Sequence, residues 1–131
     1  MNKAPEYPEM YYAGTMAKAP HAVRMFYTAL SERNSKKLRS ILTDDFTFKS
    51  PLAEFETPEG YVDMVGKFGG WVETLDFIVE SNRVAHTFVY HMTDPGVADI
   101  PICEVFELKN GLIKSSRAYN NAADFPSPDG C

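Results

Sequence analysis

Residues 83–108, RVAHTFVYHMTDPGVADIPICEVFEL, decide how this chain folds. Apolar and polar residues alternate with period two on either side of Asp94, Pro95 and Gly96, which marks two strands joined by a tight turn. A three-residue turn with Gly96 at positive φ closes the hairpin and pairs Thr93 with Val97. That register sets Tyr90 opposite Ile100, Phe88 opposite Ile102, His86 opposite Glu104 and Val84 opposite Phe106. Side chains alternate across a strand, so all eight share one face. The other face carries Ala85, Thr87, Val89, His91, Asp99, Pro101, Cys103, Val105 and Glu107, and is more polar. His86 and Glu104 thus interrupt an apolar, inward face. Burying them costs free energy unless they satisfy each other or a ligand, and an inward acid–base pair marks a functional site.

Outward from the hairpin, the chain reads as helix, helix, strand, helix and then four antiparallel strands. Val23, Phe26, Tyr27 and Leu30 make one apolar stripe on a helix from Pro20 to about Asn34. Ser35 is suited to cap a second helix carrying Leu38, Ile41 and Leu42, which Asp44 and Asp45 end. Residues 46–50 alternate as a short strand closed by Pro51. Thr57, Pro58 and Glu59 open a third helix with Tyr61, Met64, Val65 and Phe68 inward, stopping at Gly69 and Gly70. A strand over residues 72–81 precedes the hairpin, and Asn110-Gly111 turns the chain into a last strand, residues 112–121. Helices on one face of a curved antiparallel sheet make an α+β fold, and a twisted sheet wrapped round a long helix leaves a conical cavity.

The bulk numbers bound the function. The chain has 131 residues, enough for one domain with a core of its own. A net charge of −5 gives no clustered Lys and Arg for a nucleic-acid groove or an anionic membrane surface, so neither partner is expected. Cys103 and Cys131 form no disulfide framework. No apolar run is long enough to span a bilayer, and no signal-peptide pattern opens the chain, so a cytoplasmic location is the expectation. His91, Asp94 and His21 are too sparse for a metal site, and no phosphate loop or nucleophile elbow occurs. No metal and no cofactor are therefore expected.

The helix segment Met25 to Leu30, followed by Leu38, Ile41, Leu42, Asp44, Asp45, Phe46, Thr47, Ser50 and Pro51, resembles the SnoaL-like and ketosteroid isomerase-like branch of the nuclear transport factor 2 superfamily. Residues 104–113, EVFELKNGLI, are similar to that family's last hairpin. The resemblance implies a cystatin-like α+β cone over residues 20–122, with an irregular arm before it (1–19) and a tail after it (123–131). It covers about four-fifths of the chain and rests on pattern rather than on a signature. In ketosteroid isomerases the first helix carries a catalytic tyrosine, and that place falls here on Phe26. Their general-base aspartate precedes a proline where this chain has Ser50, and their neutral second acid falls on Glu104. The final-strand aspartate of limonene epoxide hydrolases would match Ala118. SnoaL-like cyclases are the closest functional analogy.

Taken together, the expectation is a small cofactor-independent lyase, isomerase or cyclase. Its ligand would be a hydrophobic, carbonyl- or ring-bearing molecule, and Glu104 and His86 would move the proton. The alternative is a non-catalytic ligand-binding or dimerisation module on the same scaffold. Tyr27, Ser50 and Tyr90 offer hydroxyls, and Phe26, Tyr61, Met64, Phe68, Phe88, Ile102 and Phe106 are core or pocket wall. The last hairpin leaves two parities open. A strict two-residue turn aims Arg117 inward beside Glu104, whereas a bulge, as the resemblance implies, turns Ser116, Ala118 and Asn120 inward and Arg117 out. The apolar part of the outer face makes a homodimer the expected assembly.

Overall fold

The inward stripe of the first helix finds its counterpart in the alternating strands, and the element order follows. The computed structural model describes residues 19–126. The amino-terminal arm with Tyr7, Tyr11 and Tyr12, and Cys131 at the other end, lie outside the described residues. Helix α1 (His21–Glu32) starts after Pro20 and ends at Arg33, whose left-handed φ of 53° stops it. Helix α2 (Ser35–Ser40) is capped by Asn34 rather than Ser35, because the Asn34 carboxamide oxygen accepts from the Lys37 amide. Strand β1 (Leu42–Lys49) is longer than its sequence suggests, so Asp44 and Asp45 lie within it instead of ending a helix. A two-residue strand β2 (Glu54–Phe55) pairs back onto β1.

Helix α3 (Pro58–Val65) opens as expected, with the Thr57 hydroxyl accepting from the Gly60 amide and Pro58 in its first turn. It ends earlier than expected. Phe68 belongs to the following turn, where its carbonyl accepts from Arg33 Nε, and its ring meets Phe125 edge-on at 6.4 Å rather than entering the cone. Strands β3 (Gly69–Glu80), β4 (Arg83–Asp94), β5 (Ala98–Lys109) and β6 (Leu112–Tyr119) follow, then a short 3-10 turn at Ala122–Asp124. Gly70 leaves room that no side chain could share, since a Cβ there would lie 2.7 Å from the Tyr90 ring.

The six strands form one sheet in the order β2-β1-β6-β5-β4-β3, antiparallel except where β1 runs parallel to β6. The fold is therefore the expected α+β cone, three helices against a curved and mostly antiparallel sheet. The β4–β5 register is the one read from the sequence: His86 faces Glu104, Phe88 faces Ile102 and Tyr90 faces Ile100. The turn is reached differently. Gly96 does not take a positive φ, and the Asp94–Pro95 peptide is cis. At Asn110 (φ 53°) and Gly111 (φ 79°) the chain makes the expected two-residue turn. The β5–β6 ladder then slips by one residue, from Leu108 opposite Ile113 to Glu107 opposite Ser115. That bulge at Lys114 decides the parity: Ser116 is buried at 1% exposure and Arg117 is exposed.

Aromatic side chains fill the depth of the cone. Phe26, Tyr27, Phe46, Phe48, Tyr61, Phe88 and Phe106 are all buried, and their rings pack with centroids 4.6 to 6.2 Å apart. Burying each such side chain contributes about 2–3 kcal/mol by apolar area alone, which makes this cluster the main source of stability.

Candidate functional site

Three elements converge on Glu104. Strand β5 presents its carboxyl inward, α1 supplies Tyr27 and β6 supplies Ser116 through the bulge. The Tyr27 hydroxyl donates to Glu104 Oε1 at 2.8 Å, and the Ser116 hydroxyl donates to Oε2 at 2.6 Å. Glu104 is 5% exposed. Burial pushes its pKa up to about 7, against the opposing pull of the hydrogen bonds from Ser116 and Tyr27. A carboxyl poised there is half protonated near neutral pH, the condition that suits a group that both gives and takes a proton.

His86 stands directly across the ladder from Glu104, yet no hydrogen bond joins them. Its Nε2 is 2.9 Å from the Thr74 hydroxyl on β3, and its Nδ1 has no hydrogen-bond partner. The ring lies among Phe88 (4.6 Å, stacked), Tyr27 (4.8 Å, edge-on) and Phe77 (4.9 Å). Burial without a carboxylate lowers the His86 pKa to about 3, so the imidazole is neutral. Of the two ways such a pair can settle, mutual pairing or separate desolvation, desolvation prevails on both residues.

The sequence-derived site thus comes together in part. Glu104, His86, Tyr27, Ser116, Phe26, Phe88, Phe106 and Tyr61 are all buried on the inner face or against it. Tyr90, Ile102 and Met64 pack around that cluster as partly buried neighbours, and burial raises the Tyr90 pKa to about 12. Asn120 follows β6, with a buried side-chain nitrogen that lacks a partner. Ser50 is not brought in. Its hydroxyl accepts from the Leu52 and Ala53 amides, each at 3.2 Å, and so caps the turn after β1. Phe68 is likewise excluded, as described above.

Two residues carry more than the sequence assigned them. Tyr27, not Phe26, reaches the acid from α1; Phe26 packs instead on Phe106 and Tyr61. One helical step of 100° separates the two, and the apolar stripe includes both, so periodicity alone could not choose. Thr74 was not singled out because its reach to His86 depends on a slip in the β3–β4 ladder between Thr74 and Asp76. Among the described residues no cluster of His, Cys, Asp and Glu is arranged to hold a metal, and no helix is long and apolar enough to cross a membrane.

Comparison with known proteins agrees with this fold. The model of the SnoaL-like domain matches residues 23–116. No curated protein sequence matches the chain. Among solved structures, an NTF2-like protein of unknown function from Cytophaga hutchinsonii aligns with a TM-score of 0.70 at 24% identity, covering 78% of this chain and 88% of that one. An LEH-like epoxide hydrolase of M. tuberculosis aligns at 0.72 and 20% identity, covering 80% and 84%. A Sinorhizobium meliloti protein named as a candidate polyketide cyclase aligns at 0.68 and 16%, covering 76% and 94%. At these identities the likeness is one of fold.

Proposed function

This chain belongs to the SnoaL-like domain family, and we propose that within it the protein is a cofactor-independent enzyme of the lyase, isomerase or cyclase kind. It moves a proton on a hydrophobic carbonyl- or ring-bearing small molecule. The observation that carries this reading is Glu104: a carboxyl with a pKa of about 7, held by two hydroxyl donors in an aromatic surround. Glu104 transfers the proton. Tyr27 and Ser116 orient it and, when a ligand oxygen takes its place, donate to that oxygen instead. Neutral His86 offers its unmatched Nδ1 to a second polar group of the ligand.

The test is deuterium exchange at the α-carbon of a panel of hydrophobic cyclic ketones in D2O, followed by proton NMR. Wild-type protein is expected to accelerate exchange for at least one ketone, with the rate rising through pH 7. Glu104→Gln is expected to lose at least ~100-fold of that rate while keeping the fold. Wild-type-like exchange by Glu104→Gln would falsify the assignment.

One observation favours a second reading, a non-catalytic binder: the aromatic rings fill the cone, and both oxygens of Glu104 already have donors. A ketone that shifts amide resonances of β4 and β5 without exchanging its protons would select that reading.

A further inference from the structure

Strand β3 meets β4 with one residue too many, and the surplus falls beside His86. Thr74 stands opposite Phe88, and an unbroken ladder would go on to set Asp76 opposite His86 on the inner face. A slip after Thr74 prevents this. Leu75 is the extra residue and is 58% exposed, Asp76 moves to the outer face opposite Thr87, and Phe77 takes the place across from His86. The displaced Asp76 carboxylate accepts from the Phe77 amide at 2.8 Å, which secures the bulge. A carboxylate beside His86 would have favoured the charged ring. The bulge brings it the Thr74 hydroxyl instead, 2.9 Å from Nε2, and the imidazole stays neutral.

A neutral imidazole carries one N–H, and its hydrogen-bond partner decides which nitrogen holds it. If Nε2 held the proton and donated to Thr74, the hydroxyl hydrogen would need an acceptor of its own. Among the described residues the Thr74 hydroxyl makes no other hydrogen bond. That arrangement strands two groups, the hydroxyl hydrogen and the Nδ1 lone pair. A donating Thr74 strands only the buried Nδ1–H. We propose that Thr74 is a positioning residue that holds His86 as the Nδ1–H tautomer, so that Nδ1 is a donor kept for an oxygen acceptor of the ligand. His86 lies directly across the ladder from Glu104, so this donor and the proton-transferring carboxyl address one small molecule. A carbonyl oxygen satisfies the buried N–H, whereas an apolar group in the same place leaves it orphaned. The identity of the ligand rests on Glu104 as the proton carrier; the tautomer does not.

Long-range proton–nitrogen NMR of the free protein reads the tautomer of each histidine, with His86→Gln identifying the His86 signals. Wild-type His86 is expected to be at least ~90% Nδ1–H, since one net hydrogen bond is worth about tenfold. Thr74→Val keeps the shape, removes the hydroxyl and should abolish that bias, whereas Thr74→Ser should retain it. Cyclohexanone at saturation should move the Nδ1 proton downfield, and methylenecyclohexane, which lacks the acceptor, should leave it in place. Thr74→Val should also weaken cyclohexanone binding ~10-fold. An Nε2–H or charged His86 in the wild type, or a bias that survives Thr74→Val, would overturn the proposal. So would an Nδ1 proton indifferent to cyclohexanone or moved equally by both probes. All of these are read without turnover, so loss of Glu104-dependent exchange and loss of the tautomer are separate outcomes.

Discussion

Strand β4 carries two histidines on opposite faces, and each sits across the ladder from an acid: His86 from Glu104, His91 from Asp99. Their fates differ completely. On the outer face His91 bonds to both neighbours, with Nδ1 2.6 Å from Asp99 and Nε2 2.8 Å from Glu73, and Trp71 stacks on its ring at 4.2 Å. Partial burial works against its charged form, but the bonds to Glu73 and Asp99 outweigh it and raise its pKa. On the inner face His86 has no carboxylate bond and is held neutral. The same register of a histidine across from an acid therefore favours the charged ring outside and the uncharged ring inside. Burial makes a separated charge expensive, and the acceptors of Glu104 are already taken by hydroxyls from other elements.

The comparison breaks most visibly at Tyr27. Tyr27→Ala removes a buried ring and a donor to Glu104 together, and should cost about 4 kcal/mol in urea unfolding. Trp71→Ala beside His91, on a half-exposed face, should cost clearly less. Equal losses would show that the inner pair is no more deeply built in than the outer one.

Next comes pH. The folded pKa of Glu104 lies above its usual 4.5, so its stabilising protonated state is fully present below pH 4.5 and is lost as pH rises to about 7. The difference corresponds to about 3 kcal/mol. Glu104→Gln should abolish this loss, so its stability advantage over wild type grows between pH 4.5 and 7 in denaturant titrations. His86 has the opposite edge: with its pKa lowered to about 3, stability falls as pH drops below 6.5. A flat difference curve for Glu104→Gln would mean that folding leaves the carboxyl's pKa unchanged.

A finer probe is Ser116→Ala. It removes one hydroxyl that favours the carboxylate, so the Glu104 pKa should move further up, and stability at pH 5 should fall by about 1 kcal/mol. Infrared absorption of the protonated carboxyl reads the titration directly. The smallest effect belongs outside. The raised pKa of His91 gives stability that is fully present below pH 6.5 and is lost as pH rises through the folded value. His91→Gln should remove that alkaline dependence at a cost of a few tenths of a kcal/mol, because both carboxylates are largely exposed.

Much of this was legible in the chain. The period-two alternation of residues 83–108 fixed the hairpin, its register and the inward placement of His86 and Glu104, because a slip of one residue would turn the apolar set to solvent. Thr57-Pro58 and Asn110-Gly111 announced a helix start and a turn through purely local chemistry. What escaped was long-range. Tyr27 and Ser116 reach Glu104 from positions 77 and 12 residues away, and the first depends on how α1 is rotated against the sheet. The second depends on a bulge whose extra residue, Lys114, carries no mark in the sequence. Ser50, at a resembled catalytic place, turned out to serve its own turn.

The sequence by itself determined the α+β order of elements, the faces of the central hairpin and the presence of an acid and a base on the inner one. Those follow from interactions within a few residues or across one ladder, where pattern and geometry are the same thing. Only the tertiary structure decided that the pair does not bond to itself, that its hydrogen bonds go to α1, β3 and β6, and that aromatic rings surround it. Helix rotation, ladder slips and ring packing are collective outcomes of filling a core at crystal-like density, and no single stretch of chain encodes them.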